Sequence, residues 1–174
     1  MAEDPNRCIK VPVVIGQNVC EVLVVTEIPL DPPLFEIKDI SKSVTVENCL
    51  VQDGLVIIDG TLRKNINYKT LDKEGVVPFP DGGLGAQIAH GKVVHTHVWL
   101  PFHCFVNIAG ALTGDDCQIE SAEVVGEKDE PICAVDSEPR YHKLLEKAVI
   151  QLVVKVTRTE QVTVSTLTPG VCPV

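Results

Sequence analysis

Cysteines and a paired histidine carry most of the chemistry in this chain of 174 residues. The seven cysteines are Cys8, Cys20, Cys49, Cys104, Cys117, Cys133 and Cys172. None forms a Cys-x-x-Cys pair, which argues against zinc-finger and thioredoxin-like chemistry. An odd number cannot all pair within one chain. Cys20, Cys49 and Cys104 lie in strand-like runs and read as buried thiols acting as small hydrophobes. Cys8 and Cys172 sit in short proline-bearing ends with no core to fill. With Cys117 and Cys133 they are the candidates for crosslinks between chains. His95-x-His97 is the other constellation, with His90 upstream and His103-Cys104 nearby. On a strand, positions two apart share a face, so both imidazoles could reach one ion. A closed zinc site needs four ligands, so the pair alone is at most a weak metal site. With Val94, Thr96, Val98 and Leu100 turned to the core, His95, His97 and Trp99 form a stripe that is exposed or interfacial. Buried between chains, such a stripe would loosen on protonation near about pH 6.

Other catalytic patterns are missing. Glu127, Asp129, Glu130, Asp136 and Glu138 crowd one polar segment, but acid–base work needs a cleft that perturbs their pKa values, and a solvated loop is the expectation. EF-hand spacing is absent. There is no Gly-x-Ser-x-Gly elbow. Gly85 to Gly91-Lys92-Val93 has five residues between its glycines and a valine where a phosphate loop needs Ser or Thr, and Gly83-Leu84-Gly85 lacks the third glycine of a dinucleotide turn. No motif here calls for a cofactor, and none is expected.

The elements that would position these residues are strands. Val, Ile and Thr supply 52 of the 174 residues, against 8 Ala and 1 Met. That mixture suits pleated sheets. Val11 to Ile15 and Val19 to Ile28 are β-rich runs split by Gly16-Gln17-Asn18, and Pro29, Pro32 and Pro33 then stop the strand. Val44 to Val51 and Leu55 to Leu62 flank Asp53-Gly54, a strong hairpin signal. Residues 71–92 form a long break without period, a mobile loop or a site of interaction. Val93 to Leu100 follows, Pro101 interrupts, and Phe102 to Ala111 continues. Gln118 to Val125 alternates, 126–140 is polar, and Tyr141 to Lys147 suits a helical turn. From Ala148 the alternation returns, with Ala148, Ile150, Leu152, Val154 and Val156 on one face. Eight or so strands without crossover helices predict an all-β protein, an antiparallel β-sandwich of jelly-roll type. The domain spans 11–166, with an N-terminal tail at 1–10 and a C-terminal tail at 167–174.

The net charge of −9 and a pI near 4.9 exclude a general phosphate-binding surface, so nucleic acid is not an expected partner. No apolar run approaches the roughly 18 residues of a membrane span. The start is acidic and lacks the basic and apolar parts of a secretory signal, so synthesis in a cytosol is expected.

The ordered strands and breaks resemble the SPOCS-type domain of bacterial spore-coat and coat-morphogenesis proteins. The likeness is carried by Val22-Leu23-Val24-Val25-Thr26-Glu27 with the proline step to Ile37–Ile40, and by Val44-Thr45-Val46 with the Asp53-Gly54 turn. It continues through Val56 to Gly60-Thr61-Leu62 and Ile66-Asn67-Tyr68. His97 to Leu100-Pro101-Phe102, Phe105 and Ile108-Ala109-Gly110-Ala111 to Gly114 form its most specific block, and Val149 to Val164 closes it. The resemblance covers roughly 11–166. It implies a non-enzymatic structural or assembly role in an endospore, in a protein made in the mother cell and deposited on the spore surface. No LysM module is appended, which argues against a scaffold that binds cortex, and cysteine at both ends points to a subunit of a coat, exosporium layer or surface fibre. Open sheet edges and short tails can add strands to a neighbour. Asn6, Arg7, Ile9 and Val171 are the tail residues expected to make such contacts. The expected partners are further copies of the chain and other coat proteins. The alternative is a soluble ligand- or metal-binding module using the 71–92 loop with His95 and His97.

Overall fold

A computed structural model describes residues 6–83, 85–135 and 140–165, and among them every regular element is a strand. In chain order these are β1 (Asn6–Leu34), β2 (Glu36–Gln52), β3 (Leu55–Lys69), β4 (Lys73–Val77), β5 (Ala86–His90), β6 (Val93–Asn107), β7 (Asp116–Ala134) and β8 (Tyr141–Ser165). All pairings are antiparallel. One three-stranded sheet has the order β1-β8-β7 and the other β2-β3-β6, while β4 and β5 form a separate hairpin. The two larger sheets pack face to face. Val56, Ile58 and Leu62 of β3 and Phe102 of β6 meet Ile150, Leu152, Val154 and Val156 of β8 in one apolar cluster. The fold is thus the predicted all-β sandwich, with its eight strands divided three, three and two.

Alternation decides the register. On β8 the predicted inward set from Ala148 to Val156 is buried, and on β6 Leu100 is buried while Val94, Thr96 and Val98 are half-buried, all on the side opposite His95, His97 and Trp99. Asp53-Gly54 makes the two-residue turn between β2 and β3, with Gly54 at a positive φ of 76° that glycine adopts without steric cost.

Several expected breaks are continuous strand. Gly16-Gln17-Asn18 is no turn: β1 passes through it, with a register shift between Val14 and Gly16 that accommodates one extra residue. The prolines do not stop β1 either, which runs to Leu34 with an irregularity between Pro29 and Leu34. The physical reason is position in the sheet. Pro12, Pro29, Pro101 and Pro131 all lie on β1, β6 or β7, each an edge strand with one row of N–H groups outside the ladder. The polar stretch after 126 belongs to β7 as far as Ala134, and Tyr141 to Lys147 is the start of β8 rather than a helical turn. Pairing with β1 and β7 on both sides overrides the local helix preference. The 71–92 break contains the β4–β5 hairpin. Residues 6–10, expected as tail, pair with 161–165 of β8.

The two sheets differ in length. Beyond Thr157, the last β8 residue that β7 reaches, residues 158–165 pair, among the described residues, only with residues 6–13 of β1. This two-stranded arm runs past the end of β7.

Candidate functional site

The face of β2-β3-β6 that points away from the sandwich is arranged in cross-strand rows. Ser41, Asn65 and His97 form one row, and Ser43, Arg63 and Trp99 the next. His95 and His97 stand side by side as expected, their rings 5.3 Å apart and edge to face. The Trp99 indole stacks on His97, with centroids 6.0 Å apart and planes 27° apart. Both histidines are exposed, and among the described residues no third metal-ligating side chain joins them.

Inside the sandwich lies a charged cluster that the sequence reading missed. Lys64 points from β3 into the core and is fully buried. Its ammonium pairs with Glu127 and Asp129 of β7, each at 2.6 Å, and with Glu146 of β8. Lys42 on β2 pairs with Glu127 from the edge. Glu127 and Asp129 therefore sit in a strand and hold a buried cation, instead of decorating a solvated loop. Glu130 does stay at the surface, paired with Lys128. Asp136 and Glu138 lie outside the described residues. The cluster falls between Leu62 and Ile66 on β3 and between Leu144 and Ala148 on β8, so it divides the core into two apolar clusters.

Two lysines face three carboxylates here, leaving one negative charge in excess. A proton on Glu146 removes it. Burial, then the neighbouring Asp129, push Glu146 up to about 7 against the pull of Lys64. Its Oε1 is buried without a hydrogen-bond partner. For Asp129, burial works upward, but hydrogen bonds with Glu146, Lys64 and Glu127 outweigh it and hold the carboxyl below its ordinary value. Burial likewise works to lower Lys64, and the three carboxylates leave it raised. Glu127, Asp129 and Glu146 lie close enough to share a metal ion, but the Lys64 ammonium already occupies the space among them. The missed signal was a Lys and a Glu at inward positions of otherwise apolar alternations.

The cysteines separate into three groups. Cys49 on β2 is bonded to Cys117 on β7, across 68 residues of sequence with Cα atoms 6.1 Å apart. This corrects two expectations: Cys49 is no free buried thiol, and Cys117 is unavailable for a bond between chains. Cys20 is buried and Cys104 half-buried, and burial followed by the Cys20 contact pushes the Cys104 thiol up to about 12, which leaves it inert. Cys8 and Cys133 are free and exposed. Cys8 lies on the arm, opposite Thr163, and Cys133 lies near the other end of the same sheet, between the Ile132–Lys143 and Ala134–Tyr141 pairs. Asn6 and Arg7 continue the arm opposite Ser165 and Val164. Val171 and Cys172 lie outside the described residues.

The two ends of the molecule also carry exposed apolar side chains. On the arm, Ile9 is 43% exposed, Val162 39% and Val164 41%. Val162 and Val164 continue the inward parity of β8 past the point where an opposing sheet covers it. At the far end the β4–β5 hairpin exposes Val76 and Val77, with Phe79 in its connection. A groove of about 460 Å³ separates the hairpin from Phe35.

A family model described as SipL, SPOCS domain, matches residues 34–124, more than half of the chain. No curated protein and no solved structure matches.

Proposed function

The chain belongs to the sporulation-related SPOCS-domain family described as SipL, and from that membership we propose that it is a non-enzymatic structural subunit, copies of which join end to end in a layer, ring or fibre of the spore coat or exosporium. The family is not known for enzymatic activity. In this reading the protein is made in the mother-cell cytosol and deposited on the spore surface, where further copies and other coat proteins are its partners.

The observation that carries the proposal is the uncovered arm. A two-stranded ribbon is at best marginally stable in water. This one extends the inner face of a sandwich, and among the described residues no second sheet lies over Ile9, Val162 and Val164. The opposite end offers Val76, Val77 and the groove beside Phe35. Arm into groove is a contact between two different surfaces, which propagates into a filament or closes into a ring according to the rotation between copies. Cys8 and Cys133 suit the same arrangement. Their partners on β8 are about 21 residues apart, or roughly 70 Å of strand, so a bond between them joins neighbours and not one chain to itself. Its formation releases two protons and two electrons to an oxidant such as a small-molecule disulfide, which an oxidising exterior supplies.

Sedimentation and electron microscopy of the full chain test this directly. Wild type is expected to form large assemblies, and the double variant Ile9→Lys, Val162→Lys to sediment as a monomer with its sheet spectrum intact. Wild type that stays monomeric under both oxidising and reducing conditions would refute the proposal.

A further inference from the structure

We infer that the outward face of β2-β3-β6 is a binding site for an acidic saccharide, a sugar bearing a carboxylate of the uronate type. This site is on a different surface from the arm and the hairpin, and the inference does not depend on assembly.

The groove has a volume of about 340 Å³, within the size range of small-ligand sites. Its wall is aromatic, built from His97 and the Trp99 indole, which is 58% exposed. Its floor is polar, from Ser41, Ser43, Arg63 and Asn65. An apolar wall beside convergent hydrogen-bonding groups suits a pyranose ring, which has an apolar C–H face and a rim of hydroxyls. The Asn65 Oδ1 is buried without a hydrogen-bond partner, and turning that amide toward the groove lets a ligand hydroxyl supply one.

The charge comes from Arg63. Its guanidinium is exposed and, among the described residues, has no ion-pair or hydrogen-bond partner, in a chain of net charge −9. The nearby acids on this face are already engaged. Asp39 accepts from Asn67 at 2.8 Å, and Glu47 accepts from Thr61 at 2.5 Å. Lys42, also at the groove, is turned to Glu127. Arg63 is thus a free planar fork facing open space, and a carboxylate is the group it pairs with bidentately. A peptide is a poorer fit, because extended peptides add to a sheet's edge through main-chain bonds and this is a sheet's face. Nucleic acid is disfavoured by the overall negative charge.

Trp99 is the chain's single tryptophan, so its fluorescence reports on this groove alone. The full-length protein is titrated at physiological salt with a galacturonate trisaccharide, with neutral cellotriose, and with tetraglutamate. The expected result is a saturable change with galacturonate, half-complete near or below about 1 mM. Cellotriose and tetraglutamate should bind about tenfold more weakly or not at all. Arg63→Gln, with an unchanged circular dichroism spectrum, should lose about tenfold or more in galacturonate affinity. Calorimetry on Trp99→Ala should show the same direction of loss. The inference is overturned by no saturable response to galacturonate, by cellotriose or tetraglutamate binding as tightly, or by Arg63→Gln binding like wild type.

Discussion

Lys64 occupies a position where the alternation of β3 calls for an apolar side chain, and Glu146 does the same on β8. Each is tolerable only because the other is there. Removing the cation leaves Asp129 and Glu146 uncompensated, so Lys64→Met should cost about 3–5 kcal/mol in urea unfolding, and adding Glu146→Leu should restore part of it. The cluster also sets a pH dependence. Glu146 titrates at about 7 in the folded chain against an ordinary 4.5. Between those values the folded form binds more protons than the unfolded one, so this group's stabilisation is complete below the lower value and is lost as pH rises through the upper. Asp53, Asp115, Asp129 and Glu130 are all shifted down, and their contributions are present above their unfolded values and lost in stronger acid. Unfolding measured between about pH 5 and pH 8 should therefore show stability falling with pH, and Glu146→Gln should flatten that slope while leaving the acid limb in place. The two residues could be read in the sequence as violations of period. Their partnership could not, because Glu127 and Asp129 looked like a polar loop until β7 was seen to extend through them.

At the scale of elements, the strands most legible in the sequence were the central ones. β3 and β8 have partners on both sides and a clear period of two, and Asp53-Gly54 fixed the register of the β2–β3 hairpin. The edge strands were harder, because the prolines and the glycine bulge that read as breaks are tolerated where half the backbone groups lie outside the ladder. Which strand would be an edge depends on how strands order into sheets, and local sequence carries little of that. Gly60, in central β3, shows the opposite case of a glycine under pressure. A Cβ there would come within 2.6 Å of the Thr45 carbonyl oxygen and 2.8 Å of Phe102 Cε1. Gly60→Ala should lower stability by about 1–3 kcal/mol. Gly75→Ala on β4, where nothing lies within 4 Å, should change it by no more than about 0.5 kcal/mol, with thermal unfolding comparing the two.

For the whole molecule, the sandwich followed from composition and alternation, whereas the cysteine pairing required knowing which edges meet. β2 of one sheet runs beside β7 of the other, and Cys49–Cys117 bonds them there. With the two separated by 68 positions in sequence, loop entropy puts the stabilisation at about 4 kcal/mol. Cys49→Ala with Cys117→Ala should lower the free energy of guanidinium unfolding by about that amount, and reductant should then have no further effect on unfolding. On the opposite flank, Asn18 donates to the Asn107 carbonyl at 2.8 Å, and the Cys20 thiol approaches the Phe105 carbonyl oxygen.

The ionic layer around Lys64 has a further consequence. Ile28, Leu30, Leu34, Ile66, Tyr68 and Leu144 pack on one side of it and the larger apolar cluster on the other. Apolar contact is what makes a core melt as a unit, and this seam interrupts it. The smaller half, which lies at the hairpin end, can then open and reclose in native-state hydrogen exchange while the larger half stays protected. If copies join as proposed, each would keep a rigid trunk and a compliant socket, and a lattice made from them would absorb bending at its joints without unfolding its members.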